Sequence, residues 1–145
     1  MQETIKETDG DVRKTGRLMH QMVRTYYQDM MPYCHLSPQE IFDLVKALPY
    51  RDDPEDVEAL MRPAFTMNGQ EYGGDCDDRA IVIASYAVCA GIPYRFVAVR
   101  RADMPDFHHV YTELFIGSKW TILDVTYSFN IYGQARARYA NERQI

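Results

Sequence analysis

Cysteine is scarce in this 145-residue chain, with only Cys34, Cys76 and Cys89 at wide, irregular spacing. An odd count so placed builds neither a disulfide framework nor a zinc module. No apolar run is long enough to cross a bilayer. The opening residues, Met1-Gln2-Glu3-Thr4-Ile5-Lys6-Glu7-Thr8-Asp9, lack the apolar centre of a secretory leader. Positive charge is in deficit, 16 Lys and Arg against 21 Asp and Glu. The chain therefore has no electrostatic reason to bind nucleic acid or an anionic membrane. Repeats and low-complexity tracts are missing too. These absences predict a soluble, cytoplasmic protein with free thiols, no metal, no cofactor, no nucleic-acid or membrane partner, and no signature of oligomerisation.

What is present fits one domain. Residues 1–10 read as a loose tail, 11–133 as the domain, and 134–145 as a C-terminal tail or surface helix. From Asp9 or Asp11, the residues Val12, Leu18, Met19, Met22, Val23, Tyr26 and Met30 recur at helical spacing, and Pro32 closes the helix. Its methionines suit core packing. His20 and His35 have no acidic or thiol neighbour at useful spacing and read as structural or exposed. Ser37-Pro38-Gln39-Glu40 is a capping box with proline at the first helical position, and Pro49 ends that helix. Glu55–Met61 reads as a short helix, and 64–74 as a polar loop.

After Gly91, a helix C-cap, the pattern changes to strands over 95–100, 109–116 and 120–126. Helices first and strands after predict an α+β domain with a small antiparallel sheet.

Between these halves lies Gly73-Gly74-Asp75-Cys76-Asp77-Asp78-Arg79-Ala80, running into a helix that is apolar on nearly every face and so belongs inside. Cys76 stands in its first turn, where helix amides and dipole favour a thiolate. Asp75, Asp77 and Asp78 read as helix-start residues, and their charges oppose that thiolate. Their spacing does not make a calcium loop. Cys34 and Cys89 read as small buried hydrophobes. Cys76 alone is either a nucleophile or a third inert core thiol.

A thiol nucleophile needs a base, and the base an orienting acceptor. A two-residue turn at Gly117-Ser118, of type II′ with glycine first, sets Ile116 opposite Lys119 and Phe115 opposite Trp120. His109 then opposes Thr126 and shares a face with Asp124, a diagonal neighbour about 7–8 Å away at the backbone. His108 points to the other face, and a register slip of one residue would exchange the two. Both histidines also suit the mere start of a strand beside a loop, and two adjacent ones point apart, against a shared zinc ion.

Four blocks follow one another in order: Gly74-Asp75-Cys76-Asp77-Asp78-Arg79-Ala80, Gly91-Ile92-Pro93-Tyr94-Arg95-Phe96-Val97, His109-Val110-Tyr111-Thr112-Glu113-Leu114, and Trp120-Thr121-Ile122-Leu123-Asp124-Val125-Thr126. Together they resemble the core of the transglutaminase-like superfamily of papain-like thiol enzymes, over about residues 70–126 and more loosely from Ser37. The resemblance implies a central buried helix packed on an antiparallel sheet, with Cys76 as nucleophile, His109 as general base and Asp124 as its orienter. It implies an oxyanion hole using the Cys76 backbone N–H, for which Gln70 and Asn68 are candidate second donors. Val125 departs from the proline common after that aspartate. The expected activity is acyl transfer from an amide of a protein or peptide, with hydrolysis the default over deamidation or cross-linking. Specificity walls are expected in loops 63–75 and 101–108. The alternative is a structural or binding module that keeps the fold without the chemistry.

Overall fold

The computed structural model describes residues 9–50, 60–68, 74–101, 103, 107–135 and 139–145. In chain order these form α1 (Asp9–Tyr26), a 3-10 helix (Tyr27–Tyr33), α2 (Pro38–Lys46), α3 (Pro63–Thr66), α4 (Cys76–Ala90), β1 (Tyr94–Arg101), β2 (His109–Ile116), β3 (Lys119–Leu123) and β4 (Tyr139–Gln144). The strands make one antiparallel sheet in the order β3-β2-β1-β4.

Helix α4 is the centre of the domain. Its residues from Asp77 through Ala87 are buried on every side. Ala80, Ile81 and Ala84 pack with Val12, Met19 and Val23 of α1 and with Phe96 and Val110 of the sheet. Val82, Ile83, Tyr86 and Ala87 pack the other way, with Met30, Ile41, Phe42, Val45, Leu114 and Leu123. A helix without a polar face is stable only when sandwiched in this manner. Its ends follow local chemistry: Asp75 and Asp78 form a capping box at the start, and Gly91 caps the end with φ +77°.

The first helix departs from the expected outline. The α-helix stops at Tyr26, and a 3-10 helix containing Pro32 carries the chain to Tyr33. That tighter turn buries Met30 and leaves Asp29 facing Arg62 in a bidentate ion pair, 2.9 and 2.8 Å. The capping box at Ser37–Glu40 forms as expected. Residues 55–59 of the expected short helix and residues 102 and 104–106 of loop 101–108 lie outside the described residues, and Leu60 and Met61 are not helical. The polar loop expected over 64–74 begins instead with α3.

The strands show three further differences. The Gly117-Ser118 turn gives the anticipated register, Phe115 opposite Trp120 and Ile116 opposite Lys119. Both turn residues have positive φ, +58° and +69°, so it is a type I′ turn and not II′. Strand β3 ends at Leu123, and no His109–Thr126 pairing forms. At the C-terminus the expected tail or surface helix is a strand, β4, paired with β1. An edge strand is held by backbone hydrogen bonds to one neighbour, so its sequence need not alternate. Ile145 follows it and donates its N–H to the Phe96 carbonyl at 3.0 Å. Its side chain lies where a Cβ on Gly16 of α1 would stand 2.8 Å from the Ile145 Cβ. His20 completes this corner, bonding the Tyr94 hydroxyl at 2.7 Å and the Ile145 carbonyl at 3.1 Å, which makes its role structural.

Cys34 and Cys89 are not the buried hydrophobes anticipated. Both are free and partly exposed.

Candidate functional site

Cys76 is the first residue of α4, immediately after its cap. Gly74 makes the approach with φ +71°, and a Cβ there would stand 2.6 Å from the Asp78 Cβ, so only glycine fits. The Asp78 carboxylate accepts the Asp75 N–H at 3.2 Å and the Met61 N–H at 2.8 Å. It thus joins the first turn of α4 to the segment leading into α3. Burial raises the Asp78 carboxyl to about 7, against the pull of those amides, and the Asp77 charge adds to the rise.

The Cys76 sulfur lies against β2, where the Val110 backbone N–H bonds it, and its S–H donates to Asp77 Oδ1 at 3.4 Å. Burial pushes this thiol well up, the Asp77 and Asp75 charges push further, and only the Val110 amide opposes them. Burial and the two neighbouring carboxylates thus oppose the thiolate that the helix N-terminus favours.

His109 begins β2, the residue before Val110, and is 3% exposed. Its Nε2 meets Asp124 Oδ2 at 2.8 Å. Asp124 follows directly on β3 and is 1% exposed. Its Oδ1 accepts the Thr126 N–H at 3.2 Å, and its carbonyl accepts the Asn130 amide at 3.1 Å. These bonds turn the chain out of the sheet at Asp124, which is why β3 is shorter than its sequence suggests. Burial opposes ionisation of Asp124, but the His109 charge and the His109 and Thr126 hydrogen bonds prevail and hold its carboxyl below the usual range. Parity therefore selects the histidine that meets Asp124, and the bend after Leu123 brings the acceptor to it.

Arg79, 1% exposed, has no counterpart among the expected site residues. Its guanidinium donates to the carbonyls of Val45 in the last turn of α2, of Leu48 and Pro49 after that helix, of Val125 beside Asp124, and of Gly74 before Cys76, at 2.7–3.4 Å. One side chain so binds the two backbone segments that carry Cys76 and Asp124. An arginine inside an otherwise apolar helix was the available signal. Tyr127 stacks on the His109 ring, 6.1 Å between centroids at 20°, and Phe129 and Tyr50 stack on Tyr127. Asn68 is exposed beyond α3 with its N–H on the Phe65 carbonyl, and Gln70 lies outside the described residues. Among the described residues no cluster of three or more His, Cys, Asp or Glu is arranged to hold a metal ion, and no helix is long and apolar enough to cross a membrane.

Residues 21–125, from α1 through the residue after Asp124, match the transglutaminase-like superfamily. The chain belongs to that superfamily. No curated protein matches it in sequence. Among solved structures it resembles Legionella pneumophila LapG in its calcium-bound form, at 18% identity and TM-score 0.53, covering 86% of this chain and 80% of that one. The EGTA-treated form of LapG gives 17% identity and TM-score 0.52, covering 85% and 77%. Likeness at this identity is likeness of fold. The cytoplasmic expectation is withdrawn, since a fold shared with Legionella pneumophila LapG gives that compartment no support. Three widely spaced cysteines and a polar first segment do not define a compartment.

Proposed function

We propose that this member of the superfamily is a thiol-dependent amide hydrolase or acyl transferase acting on a protein or peptide. Cys76 is the nucleophile, His109 the proton carrier and Asp124 its orienter. The observation that carries this reading is the buried His109–Asp124 pair on the strand whose next amide touches the Cys76 sulfur. With Nε2 committed to Asp124, the ring exchanges its proton with the thiol through Nδ1. His109 removes the thiol proton as the sulfur attacks the carbonyl, as a base does for a serine hydroxyl. The Cys76 N–H, at the start of α4, is oriented for the developing oxyanion. The amine leaves with the proton from His109, and water or a second amine resolves the acyl-enzyme.

A competing reading, the inactive module, is favoured by the burial of the Cys76 thiol beside Asp77 and Asp75, which pushes it well up. The two separate by alkylation with a small haloacetamide between about pH 5 and 9. The enzyme reading expects Cys76 to react faster than Cys34 and Cys89, and His109→Ala to remove the advantage. Equal labelling of all three thiols, indifferent to His109, would establish the module.

A further inference from the structure

A groove of about 350 Å³ lies between the end of α2 and the segment after Asp124, with Leu48, Pro49 and Tyr50 on one side and Thr126, Tyr127 and Phe129 on the other. Small-molecule pockets begin at about 300 Å³, so there is room for one large side chain. Tyr127 joins the groove to the candidate active site, since its ring stacks on His109 at 6.1 Å. Phe129 lies parallel to Tyr127, 5.1 Å away at 5°, and Tyr50 stacks on it at 5.6 Å and 28°. Phe129 is 61% exposed and Tyr50 39%. Both walls are fixed. The Asn130 N–H bonds the Tyr127 carbonyl at 3.1 Å, and the Asn130 side chain holds the Asp124 carbonyl. The Arg79 guanidinium binds the carbonyls of Leu48 and Pro49 on one wall, of Val125 at the start of the other, and of Gly74, two residues before Cys76. Groove and nucleophile therefore share one anchor.

We propose that this groove is the specificity subsite of the thiol enzyme, taking a large aromatic or aliphatic side chain of a peptide whose scissile carbonyl lies at Cys76. The inference rests on the reading of Cys76 as nucleophile and supplies its substrate class. Exposed aromatic rings are stabilised when apolar surface covers them. Rings already held in place lose little freedom when a ligand side chain packs against them. Charge argues the same way. Among the described residues lining the groove none is acidic, and the Arg79 guanidinium stands 5.7 Å from the Tyr50 ring centroid. A lysine or arginine side chain would therefore meet a like charge and no partner. An acidic side chain fares no better. The Lys46 ammonium donates to the Asn130 carbonyl at 3.2 Å and lies over the Phe42 ring, and Arg79 is committed to backbone carbonyls. An uncharged ring or branched chain is what fits.

The test uses the full chain and follows alkylation of Cys76 by iodoacetamide in the presence of blocked pentapeptide amides. One is all alanine, and the others carry Phe, Leu, Lys or Glu at each position in turn. A peptide seated across the site slows labelling of Cys76, with the free thiols Cys34 and Cys89 as internal references. With Phe or Leu at one position, half-protection should need at least about tenfold less peptide than with alanine, the gain expected from burying one large apolar side chain. Lys and Glu should give no such gain. Phe129→Ala and Tyr50→Ala, both at exposed positions, should erase most of it, and Phe129→Trp, which keeps a ring, should retain it. Absent or equal protection by all peptides, a preference for Lys or Glu, or a Phe gain unchanged in both alanine variants would overturn the subsite. The enzyme reading fails separately. Cys76 would then label no faster than Cys34 and Cys89 and no slower in His109→Ala, while selective protection by the Phe peptides would still establish the groove as the peptide's seat.

Discussion

The His109 ring is held to Asp124 by an Nε2–Oδ2 contact of 2.8 Å, while the Thr126 N–H occupies the other carboxylate oxygen. Each oxygen of Asp124 therefore has its own partner, and the imidazole has one permitted orientation. Asp124→Asn keeps the size and loses the charge. Acylation of Cys76 by an activated ester, followed as a burst, should slow by about 10²–10⁴-fold, the range for losing the orienting group or the base it serves. A burst of wild-type rate would remove Asp124 from the mechanism.

Arg79 spans five carbonyls on three segments. Arg79→Met leaves these acceptors buried and unmet, at about 1–3 kcal/mol for each that finds no water. Urea unfolding should show a loss of about 3 kcal/mol or more. Lysine, with one nitrogen in place of a fork, should recover only a small part of it.

Asp78 gives the stability curve a distinct slope. Its carboxyl titrates near 7 in the fold, against 3.8 for an unperturbed aspartate. Between those values the folded state holds a proton that the unfolded state has lost, so this group's contribution is full below 3.8 and declines until pH passes about 7. The span amounts to roughly a few kcal/mol. Asp78→Asn keeps an oxygen for the Met61 N–H and cannot titrate. Chemical denaturation from pH 4 to 8 should therefore show the variant with a flatter profile, its deficit shrinking as pH rises; parallel profiles would contradict this assignment. Asp124 acts in the opposite sense, since its lowered carboxyl stabilises the fold above 3.8 and ceases to do so in stronger acid.

Tyr127 covers the His109 ring with its face. Tyr127→Ala should cost about 0.5–1.5 kcal/mol beyond the lost apolar area, and should slow haloacetamide labelling of Cys76 by freeing the imidazole. Tyr127→Phe, which keeps the ring face, should label at close to the wild-type rate. Equal effects from the two substitutions would show that the hydroxyl and not the stack matters.

Local chemistry made much of the scaffold legible. The capping boxes at Ser37 and Asp75, the cap at Gly91 and the all-apolar course of α4 are each written within a few adjacent residues. The hairpin register is legible for the same reason: a two-residue turn and a side-chain period of two determine that His109 and not His108 shares a face with Asp124. The type of that turn was not, because Ser118 accepts a positive φ that its side chain does not advertise.

Other features depend on residues distant in sequence. The bend that brings Asp124 to His109 needs Asn130, Thr126 and Arg79 together. β4 exists because β1 offers an open edge, and no alternation in 139–144 announces it. The upward push on the Cys76 thiol comes from burial and from two aspartates, where its position on a helix favours a thiolate. Sequence by itself determined the ends of α2 and α4, the burial of α4 and the register of the β2–β3 hairpin, since helix caps, tight turns and side-chain periodicity are local. Tertiary structure alone decided which charges, carbonyls and thiols meet, since desolvation and hydrogen bonding in a core depend on neighbours that only folding brings together.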